Sequence, residues 1–532
     1  MSKFSVSAAM ILGLAGAACA TAALADDPMV TKAPMVAVAP APPVACSSFW
    51  DFIATSCPLT WYGVTFYGTV DVGGGYQTHG TPFDPNFPTG ASYLIAKPSR
   101  LAEWGLAPNA MSQSVVGVKV DEPIAPGWHF ISQNELAFDP YSGLLANAPQ
   151  AMQNSIGVPL NQQLYPVDSS RWGWLAGQNY AGFSSPTYGT LTFGRQNALE
   201  TDGVIAYDPM GGSYAFSPIG FSGTTCGAGD TELCRWTTAL KYRENIGPVR
   251  LAVMGQFGNY ADYNPSNGAI AGQLGGDIKN LGPGTLSLDA IATFAKDAVN
   301  IGPTGGTPPQ NGVLPITFPA QYLAATISNQ TGVMALAKYS FGSWSQAPVV
   351  GKAPPSASGV PLTLYAGYEW IQFAPPSDPQ TSFRDDGFLF TAFGGNPNLT
   401  TANAANPTGI NNVAYTSLCG TGTAGVGCSD KILQVFWIGA KYAVTNNLDV
   451  IGAYYHYDQN NFTSGAATCA NPYAHSQCAG TFDAYSAVID WRFAPKWDTY
   501  IGFMFSQNNG GLDNGYISRN NIDPTAGLRF RF

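Results

Sequence analysis

The sequence predicts an all-β fold: a transmembrane antiparallel β-barrel of sixteen strands, with short turns at one end and long loops at the other. Three observations carry that prediction. First, the stretch "LTWYGVTFYGTVDVGGGYQTHG", residues 59–80, alternates with a period of two. Tyr62, Val64, Phe66, Val70, Val72 and Tyr76 share an apolar face, while the other face is small and polar and carries Asp71. Alternation of this kind marks a strand between two different environments. At about 3.3 Å per residue the stretch is far longer than an ordinary strand. Second, only 11% of the 532 residues are charged, 13% are aromatic and 61 are glycine, yet mean hydropathy is near zero. A soluble domain carries about 25% charged residues. Third, one unit recurs along the chain: a long alternating strand, a tight turn, a second strand, then a long loop.

A bilayer explains all three. A sheet that crosses lipid must close on itself, because open edges leave backbone groups unpaired in hydrocarbon. Its outer face is apolar with aromatic girdles and its inner face is wet. Tyr62 and Tyr76 then mark the girdles, and Asp71 faces water in the lumen. After the N-terminus no apolar run reaches the roughly 20 residues that a spanning helix needs. A secreted β-sandwich is the rival, but its strands would be shorter and its surface more charged. The net charge of −10 argues against nucleic acid as a partner.

Taken in order, residues 1–25 form a signal peptide: Lys3, an apolar run, and Ala23-Leu24-Ala25 before Asp26. Cys19 lacks a lipoprotein context, since Gly16 stands where a Leu-like residue belongs. Residues 26–58 are a periplasmic segment, a Pro/Ala-rich linker followed by a cysteine-bearing stretch. Residues 59–532 are the barrel. Its first strand is 59–80, followed by a hairpin over 115–138 turning at Pro123 to Gly127 and one over 171–197 turning near Pro186. The next two are 235–258, turning at Asn245-Ile246-Gly247, and 277–297, turning at Gly282-Pro283-Gly284. A pair at 333–342 and 360–373 has a longer join, and 321–330 competes for its first strand. Hairpins over 432–459, turning at Asn446-Asn447, and 483–507, turning at Ala494-Pro495-Lys496, precede a last strand at 524–532. Gly, Pro and Asn between alternating runs are the chemistry of tight turns. An even count puts both termini on the periplasmic side, with the long connections extracellular. The longest of these is 374–431. No helix is predicted.

Leaving Cys19 aside, the cysteines fall in neighbouring pairs: Cys46 and Cys57, Cys226 and Cys234, Cys419 and Cys428, Cys469 and Cys478. In an exported chain this pattern predicts four local disulfides. Zinc at Cys469, His475 and Cys478 is the alternative, but structural zinc sites use four ligands at closer spacings, so no metal or other cofactor is expected. "GTGTAG", 420–425, lies between two cysteines without a strand-to-helix passage and is read as loop. His79, His129, His456 and His475 are scattered, and no HExxH motif is present.

Several islands resemble the bacterial general porins, and in the leader and cysteine-bearing start the alphaproteobacterial ones. They are "GVTFYGTVDVG", "SQSVVGVKVDEPIAPGWHFISQNELAF" and "YGTLTFGRQN", together with the terminal "AGLRFRF". The resemblance implies an outer-membrane homotrimer passing small hydrophilic solutes and ions by passive diffusion. It also implies that Leu528, Phe530 and Phe532, alternating with Arg529 and Arg531, signal to the barrel assembly machinery. In the family the third long loop folds into the barrel opposite a basic wall. Here that loop is 198–234, with Glu200, Asp202, Asp208, Asp230 and Glu232.

The basic candidates are Arg195, Lys241, Arg243 and Arg250. Alternation puts Trp236, Thr238, Leu240 and Tyr242 on the lipid side and Lys241 and Arg243 inside. Val249, Leu251, Val253 and Phe257 likewise leave Arg250 inside. A base facing mid-bilayer would cost about 2–4 kcal/mol. Arg195 shares parity with Leu191 and Phe193, so it needs a bulge at Gly194 or a place beyond the lipid belt. Two other functions remain open on the residues: a hydrolase barrel with a Ser–His pair at the lipid face, and a structural or adhesive barrel plugged by its loops.

Overall fold

The computed structural model describes residues 46–80, 93, 95, 102–143, 177–219, 235–257, 268–298, 328–344, 357–358, 360–374, 430–461, 479–513 and 518–532. Sixteen antiparallel strands close into a barrel. They are β1 (Val64–Gln77), β2 (Ser114–Ala125), β3 (Trp128–Phe138), β4 (Asn179–Ser185), β5 (Gly189–Asn197), β6 (Arg235–Ile246), β7 (Val249–Gln256) and β8 (Ala269–Leu281). The second half comprises β9 (Gly284–Ala298), β10 (Ser328–Ser340), β11 (Leu362–Ala374), β12 (Lys431–Thr445), β13 (Leu448–Gln459), β14 (Gly480–Ala494), β15 (Trp497–Gly510) and β16 (Thr525–Arg531). Each strand pairs with its sequence neighbour, and β16 closes on β1 from Thr69↔Arg531 to Gly75↔Thr525. Closure leaves no lipid-exposed edge, which is the condition for a sheet in hydrocarbon.

The outward faces follow the sequence alternation. Phe66, Val116, Leu240, Leu251, Val253, Ile270, Leu288 and Ile501 are large apolar side chains on the exposed surface. Rings cluster at the short-turn end, where Trp128 stacks on Tyr188 with centroids 5.6 Å apart. Six short turns sit near the expected places, and the join between β10 and β11, residues 341–361, is longer, as expected. The strand contested between 321–330 and 333–342 runs over Ser328–Ser340.

The structure departs from the sequence expectations in four respects. The stretch 59–80 is not one strand: Tyr62 and Gly63 take φ of 45° and 70°. That left-handed pair turns Leu59–Trp61 back onto β1, so Tyr62 stands at a turn rather than at the end of an apolar face. Asp71 points inward but does not face water. It is fully buried, accepting bonds from the amides of Met111 and Ser112 at 2.9 and 2.8 Å and from the Tyr500 hydroxyl at 2.6 Å. Among the described residues two α-helices are present, α1 (Phe49–Ala54) and α2 (Leu199–Tyr207). The first is a single disulfide-closed stretch and the second is buried on most sides, so neither shows the apolar stripe of a surface helix. Finally, Trp236 points inward and is fully buried.

The reason for the last is a bulge. Gly194 pairs with Ala239 and Gln196 with Trp236, so β6 spends one residue more than β5 between those pairs, and Thr238 takes φ of 51°. An extra residue reverses the parity beyond it. The break at Gly194, φ 125°, likewise carries Arg195 off the lipid face; it is buried, with 6% exposure.

Residues 46–58 contain the Cys46–Cys57 disulfide. The remaining cysteine pairs, the signal peptide at 1–25, the linker at 26–45, the loop at 375–429, Asp230, Glu232, His475 and the GTGTAG stretch lie outside the described residues.

Candidate functional site

The chain leaving β5 enters the barrel. Leu199–Tyr207 forms α2, and residues 208–219 continue across the interior with Tyr214, Phe216 and Ile219 almost fully buried. The helix lies close to the wall at Gly203: a methyl there would meet Ile291 and Leu336 at 2.7 and 2.8 Å. The Lys338 ammonium donates to the Ala206 carbonyl at 3.2 Å, and the Trp437 indole to the Tyr207 carbonyl at 3.1 Å. Tyr455 donates to Asp208 at 2.7 Å, Tyr457 donates to the Pro218 carbonyl at 2.8 Å, and the rings of Phe216 and Tyr500 meet edge to face. A second inward segment meets this one, with the Ala215 amide donating to Ala110 and the Tyr214 hydroxyl to Gln113. The described part of the loop is therefore packed against the rings of β12, β13 and β15.

The charged residues singled out in the sequence come together in two groups. Asp202 on α2 takes the Lys241 ammonium at 2.9 Å and also the Arg243 guanidinium. Lys241 donates to the Asn197 carbonyl as well. Its side chain is 7% exposed against 41% for Arg243, so Arg243 is the more accessible base of this pair. Among the described residues Arg250 meets no loop carboxylate. It bridges Asp277 at 2.7 Å and Asp289 at 2.9 Å, and donates to the Tyr207 hydroxyl at 3.0 Å, while Tyr207 donates to Asp289. Glu200 is buried against the wall beside Gly332 and near Glu369. Asp208 holds the loop's own turn through the amides of Met210 and Gly212. Burial pushes both carboxyls above their ordinary values; for Asp208 the Tyr455 hydroxyl and the Gly212 amide oppose that rise.

Sequence reasoning missed Asp277 and Asp289, although their signal was readable. In "TLSLDAIATF" the aspartate alternates against Leu286, Leu288 and Ala290, which puts it inside. It also missed a polar wall on β1–β4, where the Lys119 ammonium lies 4.4 Å from the Tyr67 ring centre, Tyr67 donates to Glu135 at 2.7 Å and Tyr180 donates to Gln133 at 3.2 Å. At the other end of the molecule, His456 shares the outward parity of β13. Its described partners are Asp483, at 2.8 Å, and Tyr454 rather than a serine hydroxyl.

A family model described as Gram-negative porin matches residues 7–511. No protein of curated function matches the sequence. Among solved structures, the chain is similar to an anion-selective porin from Comamonas acidovorans, with 14% identity, 88% of this chain and 99% of that one covered, and a TM-score of 0.49. It is also similar to the outer membrane channel DcaP of Acinetobacter baumannii, with 12% identity, 88% and 97% covered, and a TM-score of 0.46. A third is OmpF of Salmonella typhi in complex with daunomycin, with 10% identity, 88% and 97% covered, and a TM-score of 0.45.

Proposed function

Because this chain belongs to the Gram-negative porin family, whose members are outer-membrane diffusion channels, we propose that small hydrophilic solutes and ions cross it passively through a lumen narrowed by the loop after β5. The observation that carries the reading is the passage of α2 and residues 208–219 through the barrel, with Asp202 bound to Lys241 and Arg243 on the wall. The water path then runs between this loop and the polar face of Lys119, Tyr67, Glu135 and Gln133, because the loop's ring contacts go to β12, β13 and β15 instead. Ionised groups along such a path bias ion passage through the field they present. Direct pairing offsets much of that field, which makes the expected anion preference modest and gives Arg243 the largest share of it. Export by residues 1–25, assembly as a homotrimer, and recognition of Leu528, Phe530 and Phe532 by the assembly machinery belong to the same proposal.

The test is a planar-bilayer recording under a salt gradient at low ionic strength, where screening is weakest. Replacing Lys241, Arg243 and Arg250 with Gln should move the reversal potential toward cations and change single-channel conductance. If neither changes, these residues do not line the narrowest part.

A further inference from the structure

The last strand stops short of the first. Phe532 exchanges backbone bonds with Gly68, each 3.0 Å, and β1 continues past it toward the short-turn end as Val64–Tyr67. An exposed strand edge at this seam would be a pairing liability. The chain covers it with its own preceding residues: Leu59 pairs with Phe66, Thr60 with Thr65 and Trp61 with Val64. Opposed residues of an antiparallel pair share a face, so Leu59 and Trp61 point outward with Val64 and Phe66.

The residues before this fold-back are seated on the same outer surface. Phe52 packs its ring on Phe530 and Phe532, with centroids 5.9 and 5.5 Å away. Lys496, in the turn joining β14 and β15, donates to the carbonyls of Phe52 and Cys57 at 2.7 and 2.8 Å and lies 4.0 Å from the Phe52 ring centre. The Cys46–Cys57 bridge closes the segment around these contacts. The single charge within 46–62 is Asp51, whose carboxylate is occupied by the Ser47 amide at 2.8 Å and by the Ser47 and Thr55 hydroxyls. The large exposed side chains are aromatic: Phe49, Trp50, Trp61 and Tyr62 are 66–80% exposed, above the 56% of Val253 in the lipid belt, and the other exposed residues, Ser47, Ser48, Ala54, Thr55 and Ser56, are small and uncharged.

We propose that residues 46–62 form an interfacial foot that binds phospholipid at the headgroup level of the inner leaflet of the outer membrane. The surface is continuous with the lipid-facing side of β1 and β16, carries Asp51 as its one charge, and offers the amphipathic rings that settle at membrane–water boundaries. The disulfide and Lys496 hold the foot against the barrel seam, so that aromatic area is presented to lipid without being ordered afresh. The inference rests on the barrel reading above, and single-channel conductance reports on that reading separately.

Full-length protein in phosphatidylcholine vesicles tests it, with Trp50→Phe and Trp61→Phe variants that keep the packing aromatic. The emission missing from each variant should be quenched strongly by lipid brominated near the glycerol backbone and weakly by lipid brominated near the chain ends. It should also be shielded from aqueous acrylamide. Quenching by acrylamide alone would put the segment in the periplasm and overturn the proposal. Shielding from both quenchers, lost when the subunits are dissociated, would assign the surface to a second copy and overturn it too. Cys46→Ser with Cys57→Ser should reduce the shallow-lipid quenching while conductance stays unchanged. Undiminished quenching would remove the disulfide from the argument.

Discussion

Charged clusters of two kinds line the inside of this barrel, and they are built differently. One is made of wall residues alone. Asp498 on β15 sits between Arg529 at 2.9 Å and Arg531 at 2.6 Å, and Asp449 on β13 between Lys441 and Arg492, both at 2.7 Å. The other joins wall to loop, with Asp202 of α2 holding Lys241 and Arg243 of β6. The first cluster follows from strand parity and register: Asp498 pairs with Arg529 directly across the ladder. The second needs a loop to return to a wall that parity alone does not select. The difference divides labour. On the proposed channel reading, charges paired within the wall hold the barrel together, while charges paired through the loop position what a solute meets.

The largest expected effect lies at the seam of the wall. Deleting Phe532 removes both backbone bonds to Gly68 and its ring contacts with Phe52 and Phe530. The amount of barrel in the outer membrane should fall several-fold, with periplasmic degradation rising; equal surface levels would refute an assembly role.

Next is Asp498→Ala. The carboxylate is fully buried, and removing one partner of a buried ionic network costs about 3–5 kcal/mol. Denaturant unfolding in detergent should show a clear drop in midpoint, with ion preference little altered. The reverse outcome would erase the proposed division of labour.

Asp202→Asn should do the opposite. Freeing Lys241 and Arg243 exposes two uncompensated bases, so the reversal potential should move toward anions while the unfolding midpoint shifts by less than it does for Asp498→Ala. A shift toward cations would mean that Asp202 is not what screens them.

The smallest effect is in pH. Burial raises the carboxyls of Asp208 and Glu200, so the folded loop favours their protonated forms. That contribution is present below the ordinary carboxylate range and is lost as pH rises through the raised values. Open-channel noise should therefore grow on the alkaline side of that window, and Asp208→Asn should flatten the dependence. A pH response unchanged in the variant would take Asp208 out of it.

Much of the wall was legible because strand alternation is a relation between residues i and i+2. The strand number, the inward Lys241, Arg243 and Arg250, the turn at Asn446-Asn447 and the pairing of Cys46 with Cys57 all lie within such short windows. Errors arose where one residue changed the count. The extra residue at Thr237-Thr238 turned Trp236 inward, and the left-handed pair at Tyr62-Gly63 cut the opening strand.

By itself, then, the sequence determined a lipid-crossing barrel, because long period-two strands with few charges suit a closed sheet in a bilayer better than the shorter, more charged strands of a secreted sandwich. Tertiary structure alone decided the route of the inner loop, the dry burial of Asp71 and the partners of Arg250. The contacts responsible join Tyr455 to Asp208 and Tyr500 to Asp71, residues 247 and 429 apart. No local pattern encodes such a meeting. It comes into being only when the barrel closes and its walls leave one side open for the loop to fill.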